Sequence, residues 1–192
     1  PMVREAREAL LAGLELTGNP SSIHGHGQAA KRMLEGARER VASALGADPI
    51  EVVLTSGGTE AINLGVKGLY WARRQRDPAL TRILAPRGEH HATVDAVEWL
   101  ANHEGATIDW LPVDGAGLVD LTVAEQRMRE HAGEVALVTV ILANNEVGSI
   151  QPVRALAALA AEHEIPVHVD AVAAFGHIPV SLRDLGVAAL SV

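Results

Sequence analysis

None of the 192 residues is cysteine, which excludes disulfides, thiolate metal ligation and a cysteine nucleophile from this stretch of chain. Only two are lysine, Lys31 and Lys67, and cations are in the minority: 16 Lys and Arg against 24 Asp and Glu, a formal net charge of −8. A broad nucleic-acid surface needs clustered Lys and Arg to neutralise phosphates, so no nucleic-acid partner is expected. Long apolar runs are missing as well. Residues 135–143 form one of the longest, and Thr139 interrupts it; a bilayer span needs roughly 18–20 apolar residues, so no membrane association is expected. The N-terminal Pro1-Met2-Val3-Arg4-Glu5-Ala6-Arg7 mixes acidic and basic residues and has no apolar core, unlike a signal peptide. A cytoplasmic protein is the expectation. What the chain does have is apolar substance, with 48% hydrophobic and 21% charged residues, enough for a buried core in one to two domains.

Helical and strand patterns alternate along the chain. Residues 3–16 place Ala6, Leu10, Leu11 and Leu14 at helical spacing before the breaker Thr17-Gly18-Asn19-Pro20. Residues 27–45 align Ala30, Met33, Leu34, Ala37, Val41 and Leu45 on one stripe, with Glu35, Arg38 and Glu39 opposite, and stop at Gly46. The β-branched run from Glu51 to Thr55 predicts a strand, turned by Gly57-Gly58 into a helix over 59–74. The pattern continues with strand 82–86, helix 91–104, strand 107–112, helix 121–131, strand 134–142, helix 152–163, strand 166–170 and strand 187–192. Helices between strands indicate βαβ units, hence an α/β fold of three αβα layers around a mostly parallel sheet. In such sheets ligands bind at the carboxyl ends of the strands, so the segments just after strands carry the functional reading.

After the first of these strands comes Ser56-Gly57-Gly58-Thr59-Glu60. Two glycines allow close backbone approach, and a helix N-terminus behind them presents free N–H groups and a positive dipole end, an anion site suited to phosphate; a plain helix start capped by Thr59 is the alternative. Dinucleotide and Walker spacings are absent, since Gly25-His26-Gly27 and Gly115-Ala116-Gly117 lack the third glycine. After strand 82–86 comes Glu89-His90-His91, either a site histidine or an exposed helix start. His103-Glu104 and His163-Glu164 lack the second histidine of a zinc helix, so no metal is expected. After strand 134–142 stand Asn144-Asn145-Glu146, where capping accounts for one amide better than for two. Strand 166–170 ends on Asp170, a carboxylate on a buried apolar strand that calls for a cation or a helix cap.

Taken in order, Gly18-Asn19-Pro20-Ser21-Ser22-Ile23-His24, Thr55-Ser56-Gly57-Gly58-Thr59-Glu60-Ala61-Ile62-Asn63-Leu64, Glu89-His90, Asn144-Asn145-Glu146-Val147-Gly148 and Val169-Asp170-Ala171 resemble the cysteine desulfurases. These are class V, fold-type I enzymes that use pyridoxal 5′-phosphate (PLP). The resemblance implies a PLP-dependent large domain, with Gly58 and Thr59 at the cofactor phosphate and His90 stacked on the ring with a proton-transfer role. It further implies Asn145 near the 3′-oxygen, and Asp170 paired with the pyridinium nitrogen. His90 and Asp170 would be the catalytic pair, L-cysteine the substrate, alanine and a persulfide the products. A sulfur-acceptor protein and a homodimer are the implied partners.

Three departures accompany the resemblance. Ala173 stands where the family usually has a glutamine that hydrogen-bonds the 3′-oxygen. That keeps in view other class V chemistry: a selenocysteine lyase, an epimerase-like protein or an aminotransferase. The family's short first strand would precede Pro1. The Schiff-base lysine, the mobile cysteine and the small C-terminal domain would follow Val192. The expectation is therefore a partial large domain, with an N-terminal helix and loop over 1–25 and the α/β core over 26–192, a cofactor cradle inactive alone. A non-catalytic α/β chain is the reading from a different class.

Overall fold

The computed structural model describes residues 2–192. Contacts divide the chain into two compact units, one ending at Leu54 and one beginning at Thr55.

The first unit holds α1 (Arg4–Leu14), α2 (Gly25–Leu45) and a 3-10 turn over Pro49–Glu51. The intervening loop is tied tightly to the start of α2. Asn19 Oδ1 accepts from the Ser21 N–H, the Asn19 carbonyl from the Ser22 N–H, and a Cβ on Gly27 would stand 2.6 Å from the Asn19 carbonyl oxygen, so only glycine fits there. Gly46, at φ 64, ends α2 in the left-handed conformation that favours glycine.

The strand predicted over 51–55 does not form. Asp48 and Glu51 cap one another around the 3-10 turn, and the Glu51 carboxylate accepts from the Asp48 N–H at 2.7 Å. The Val52 carbonyl takes the Arg38 guanidinium. A β-branched sequence becomes a strand only beside a partner. Among the described residues this segment is not one of the hydrogen-bonded strands, and Val53 and Leu54 are exposed.

The second unit is the α/β body. In chain order it runs α3 (Gly58–Arg76), β1 (Arg82–Pro86), α4 (His91–Glu104), β2 (Thr107–Leu111), α5 (Leu121–Glu130), β3 (Val135–Ile141), α6 (Val153–Glu162), β4 (Val167–Asp170), α7 (Leu182–Leu185) and β5 (Ala189–Ser191). The predicted elements 82–86 and 91–104 match at both ends. The short α7 went unpredicted, although Ser181 caps it by accepting from the Asp184 N–H and Gly186 ends it at φ 69.

All five strands are parallel, in the order β2-β1-β3-β4-β5. β3 is buried along all seven residues, which explains its unbroken apolar run. On β4, His168 and Asp170 face α3, while Val167 and Val169 point to the opposite face, where α6 packs. The main core lies between α3, α4 and the sheet, where Ile62, Val66, Tyr70, Val97, Leu100, Ile83 and Leu137 are essentially inaccessible to water; each such aliphatic side chain contributes about 1.5–3 kcal/mol on burial. Because β1 leads outward to β2 and the chain returns through β3 on its other side, the strand order reverses between β1 and β3. A crevice opens at the carboxyl ends of strands at such a switch point.

Candidate functional site

A cavity of about 240 Å³ opens at that end of the sheet, lined by Gly58, Thr59, Ile62, His90, Ile141, Asn145, Asp170, Val172 and Ala173. All five residues singled out in the sequence, Gly58, Thr59, His90, Asn145 and Asp170, meet in it. They arrive from four separate segments: the start of α3, the turn after β1, the turn after β3 and the end of β4.

The α3 end of the cavity is the first turn of a helix. Its N-cap is Gly57, and no side chain caps the helix, Thr59 included. The leading N–H groups, with the positive end of the helix dipole, therefore open toward the cavity. Gly58 packs closely on Val172, since a Cβ there would stand 2.7 Å from Val172 Cγ2. Glu60 holds the preceding turn by accepting from the Ser56 N–H and hydroxyl.

His90 is half-buried at the start of a helix. It is the N-cap of α4, with Nδ1 accepting from the Ala92 N–H at 3.1 Å, and its ring lines the cavity. Because Nδ1 is the acceptor, the neutral ring carries its proton on Nε2. His91 begins the helix beside it and is exposed.

The two asparagines divide their work. Asn144 builds the turn: Oδ1 accepts from the N–H groups of Glu146 and Val147, and Nδ2 donates to the Gly88 carbonyl. Asn145 lines the cavity.

Asp170 is 2% exposed. Burial raises its carboxyl above the ordinary range; the Val172 N–H, donating to Oδ1 at 3.0 Å, and the His90 ring pull in the other direction. A partly desolvated carboxylate with one backbone donor is poised to receive a cation.

Beneath the cavity runs a polar chain that the sequence did not reveal. Thr139 Oγ1 lies 2.9 Å from His168 Nδ1, and His168 Nε2 lies 2.9 Å from Ser191 Oγ, all buried. Burial lowers the His168 pKa to about 4, so the ring stays neutral. Register alignment of Thr139 with His168, and of Asp170 with Ser191, produces the row, and register is invisible in a single sequence. Glu89, quoted above only as part of a motif, is also buried here. Of the two lysines, Lys31 is exposed, whereas Lys67 places Nζ 4.3 Å from the centre of the Trp99 ring rather than in open solvent. Among the described residues no group of three or more His, Asp or Glu could hold a metal ion, and no helix is long and apolar enough to cross a membrane.

Comparison with known proteins places this geometry in context. The chain is 46% identical to an IscS-like cysteine desulfurase of Mycobacterium tuberculosis, across all of this chain and 49% of that protein. It is 39% identical to the cysteine desulfurase IscS of Dictyoglomus turgidum, again across the whole chain and 47% of that protein. Among solved structures, a NifS-like protein superposes with a TM-score of 0.84 at 35% identity, over 96% of this chain and 50% of that one. SspA in complex with cysteine superposes with a TM-score of 0.88 at 28% identity, over all of this chain and 54% of that one. The chain thus spans about half the length of the curated relatives it matches. The aminotransferase class-V family matches residues 7–192, and the chain belongs to that family.

Proposed function

We propose that the cavity binds pyridoxal 5′-phosphate and that the protein is a cysteine desulfurase, taking sulfur from L-cysteine to leave L-alanine and a persulfide. One observation carries this reading: an uncapped helix N-terminus, a histidine ring and a desolvated carboxylate converge on one cavity at the switch point of the sheet. The fit to the cofactor is chemical. The N–H groups at Gly58 and Thr59 would receive the phosphate, the His90 ring the pyridine, Asp170 the protonated ring nitrogen, and Asn145 the 3′-oxygen. When bound, PLP supplies an electron sink for negative charge developing beside the substrate nitrogen.

The residues of the chain account for the remaining roles. Asp170, facing a cation, keeps the proton on the nitrogen it contacts, because its negative charge favours the charged form. His90 holds its mobile proton at Nε2, since Nδ1 is occupied by the Ala92 N–H, and Nε2 is the atom that exchanges a proton with substrate. Ile62, Ile141 and Val172 supply apolar walls that exclude water and strengthen these interactions. With no cysteine among the 192 residues, the thiol that accepts sulfur comes from outside them. The same reading assigns His90 and Asp170 as the catalytic pair, a homodimer as the working form, a sulfur-acceptor protein as partner and the cytoplasm as the site of action. Assaying the intact gene product with L-cysteine and an excess of a dithiol reductant, which reduces the persulfide to thiol and sulfide, tests it: alanine and sulfide appear in equal amounts, whereas absence of alanine with turnover of another amino acid refutes it.

A further inference from the structure

Glu89 is 9% exposed and sits in the turn between β1 and α4, next to His90. Its Oε1 accepts from the Ile141 N–H at 2.8 Å, reaching 52 residues along the chain to the last residue of β3. β1 ends at Pro86, and its recorded pairing with β3 stops at Leu84 and Val138. The carboxyl group thus takes the place of a strand carbonyl at the point where the strand order reverses. Asn144 adds a second tie across the same gap by donating to the Gly88 carbonyl at 2.9 Å. Glu89 Oε2 is buried with no hydrogen-bond partner.

We propose that Glu89 is a positioning residue: by fastening the β1–α4 turn to the carboxyl end of β3, it fixes the His90 ring at the cavity in line with Asp170. Ile141, which receives the tie, is the register partner of Asp170 in β4 and lines the cavity itself. A single side chain therefore couples the segment that carries His90 to the strand beside Asp170. Burial, with a further push from Asp170, raises Glu89 to about 8, so at neutral pH the carboxyl is uncharged, with its proton on Oε2 because Oε1 is the acceptor. The ionisable groups facing one another here are Glu89, His90 and Asp170; α3 contributes only Gly58, Thr59 and Ile62 to the cavity wall. Keeping Glu89 neutral leaves Asp170 as the sole negative charge, the separation of roles that two nearby carboxyls acquire when their environments differ.

The role in cofactor binding rests on the PLP reading, whereas the placement of His90 does not, and the test separates the two. In the full chain, Glu89→Gln preserves a neutral Oε1 acceptor, Glu89→Asp keeps a carboxyl group one methylene too short, and Glu89→Ala removes the tie. NMR of the His90 imidazole and hydrogen exchange of the Ile141 amide report placement; titration with PLP reports binding. Glu89→Gln is expected to leave the His90 resonance unmoved, Ile141 exchange within about twofold of wild type, and PLP affinity likewise. Glu89→Asp and Glu89→Ala are expected to shift the His90 resonance and to speed Ile141 exchange by about tenfold or more, the equivalent of one lost buried hydrogen bond. If Glu89→Ala does not fold, the contrast between Gln and Asp decides. A His90 resonance unchanged in Glu89→Asp, or displaced equally in Glu89→Gln, overturns the proposal. Failure of wild-type protein to bind PLP would instead overturn the function proposed above and leave the NMR comparison standing.

Discussion

Gly65 of α3 rests directly against the imidazole of His168 in β4: a methyl group at residue 65 would stand 2.6 Å from Cδ2 and 2.8 Å from Nε2. The ring has nowhere to go, being fully buried with both nitrogens engaged, by Thr139 on one side and Ser191 on the other. Gly65→Ala therefore sets two effects against each other. Replacing a helical glycine gains about 1 kcal/mol in helix propensity, but overpacking a fixed core group costs about 1–3 kcal/mol, and breaking either His168 hydrogen bond adds to that. The overpacking wins. Urea denaturation should show Gly65→Ala destabilised, while Gly68→Ala, three residues on with nothing within 4 Å of its Cβ, should be stabilised.

His168 and Glu89 give the stability of the cofactor-free protein two opposed pH limbs. His168 has its folded value lowered from 6.5 to about 4, so the unfolded chain takes up a proton that the native ring refuses, and stability is lost as pH falls from 6.5 toward 4. Glu89 has its folded value raised from 4.5 to about 8, so its contribution is complete below 4.5 and is lost as pH rises toward 8. Above 6.5 the His168 limb is gone and the falling Glu89 limb remains. Chemical denaturation between pH 6.5 and 8 should show wild-type stability falling at up to about 1.4 kcal/mol per pH unit, and Glu89→Gln should flatten that slope. Below 6.5, His168→Gln should remove the acid limb.

Part of the site was legible in the sequence because His90 and Asn145 follow strands and Asp170 ends one, and strand ends show as the point where a β-branched run meets Gly, Asn or Asp; the Gly57-Gly58 turn was legible from its glycines although no strand precedes it. The segments were found that way, the resemblance to the cysteine desulfurases singled out Gly58, Thr59, His90, Asn145 and Asp170 within them, and those five line one cavity. The missing strand at 51–55 shows the limit: its residues have β propensity, but pairing is a property of the neighbour, and here Arg38 takes the Val52 carbonyl instead. Glu89 and the Thr139–His168–Ser191 row stayed hidden for a related reason. Their meaning depends on strand register and on a contact spanning 52 residues, which spacing along one chain does not encode.

Gly58→Ala should separate binding from stability. The added methyl would stand 2.7 and 3.1 Å from the two Val172 methyls and 3.5 Å from its Cβ, and Val172 is 45% exposed, so it can shift aside at a cost of about 0.5–1.5 kcal/mol. The displaced tip enters the cavity. PLP affinity should fall by about tenfold with little change in the unfolding midpoint, and Val172→Ala in the Gly58→Ala background should restore binding.

Ala173 is a cavity wall without a donor. Ala173→Gln introduces one beside Asp170, and a neutral hydrogen bond contributes about 0.5–1.5 kcal/mol. PLP should bind up to about tenfold more tightly, as read by calorimetric titration.

Calorimetric titration of the chain with pyridoxal 5′-phosphate and with phosphate-free pyridoxal, repeated on Asp170→Asn, tests the central claim most directly. The cavity as described predicts saturable one-to-one binding of PLP. It also predicts binding of pyridoxal weaker by about tenfold or more, from the lost charge-assisted bonds to the α3 N-terminus, and a comparable loss in Asp170→Asn. Equal affinity for the two ligands together with an unaffected Asp170→Asn variant, or no saturable PLP binding at all, would contradict it.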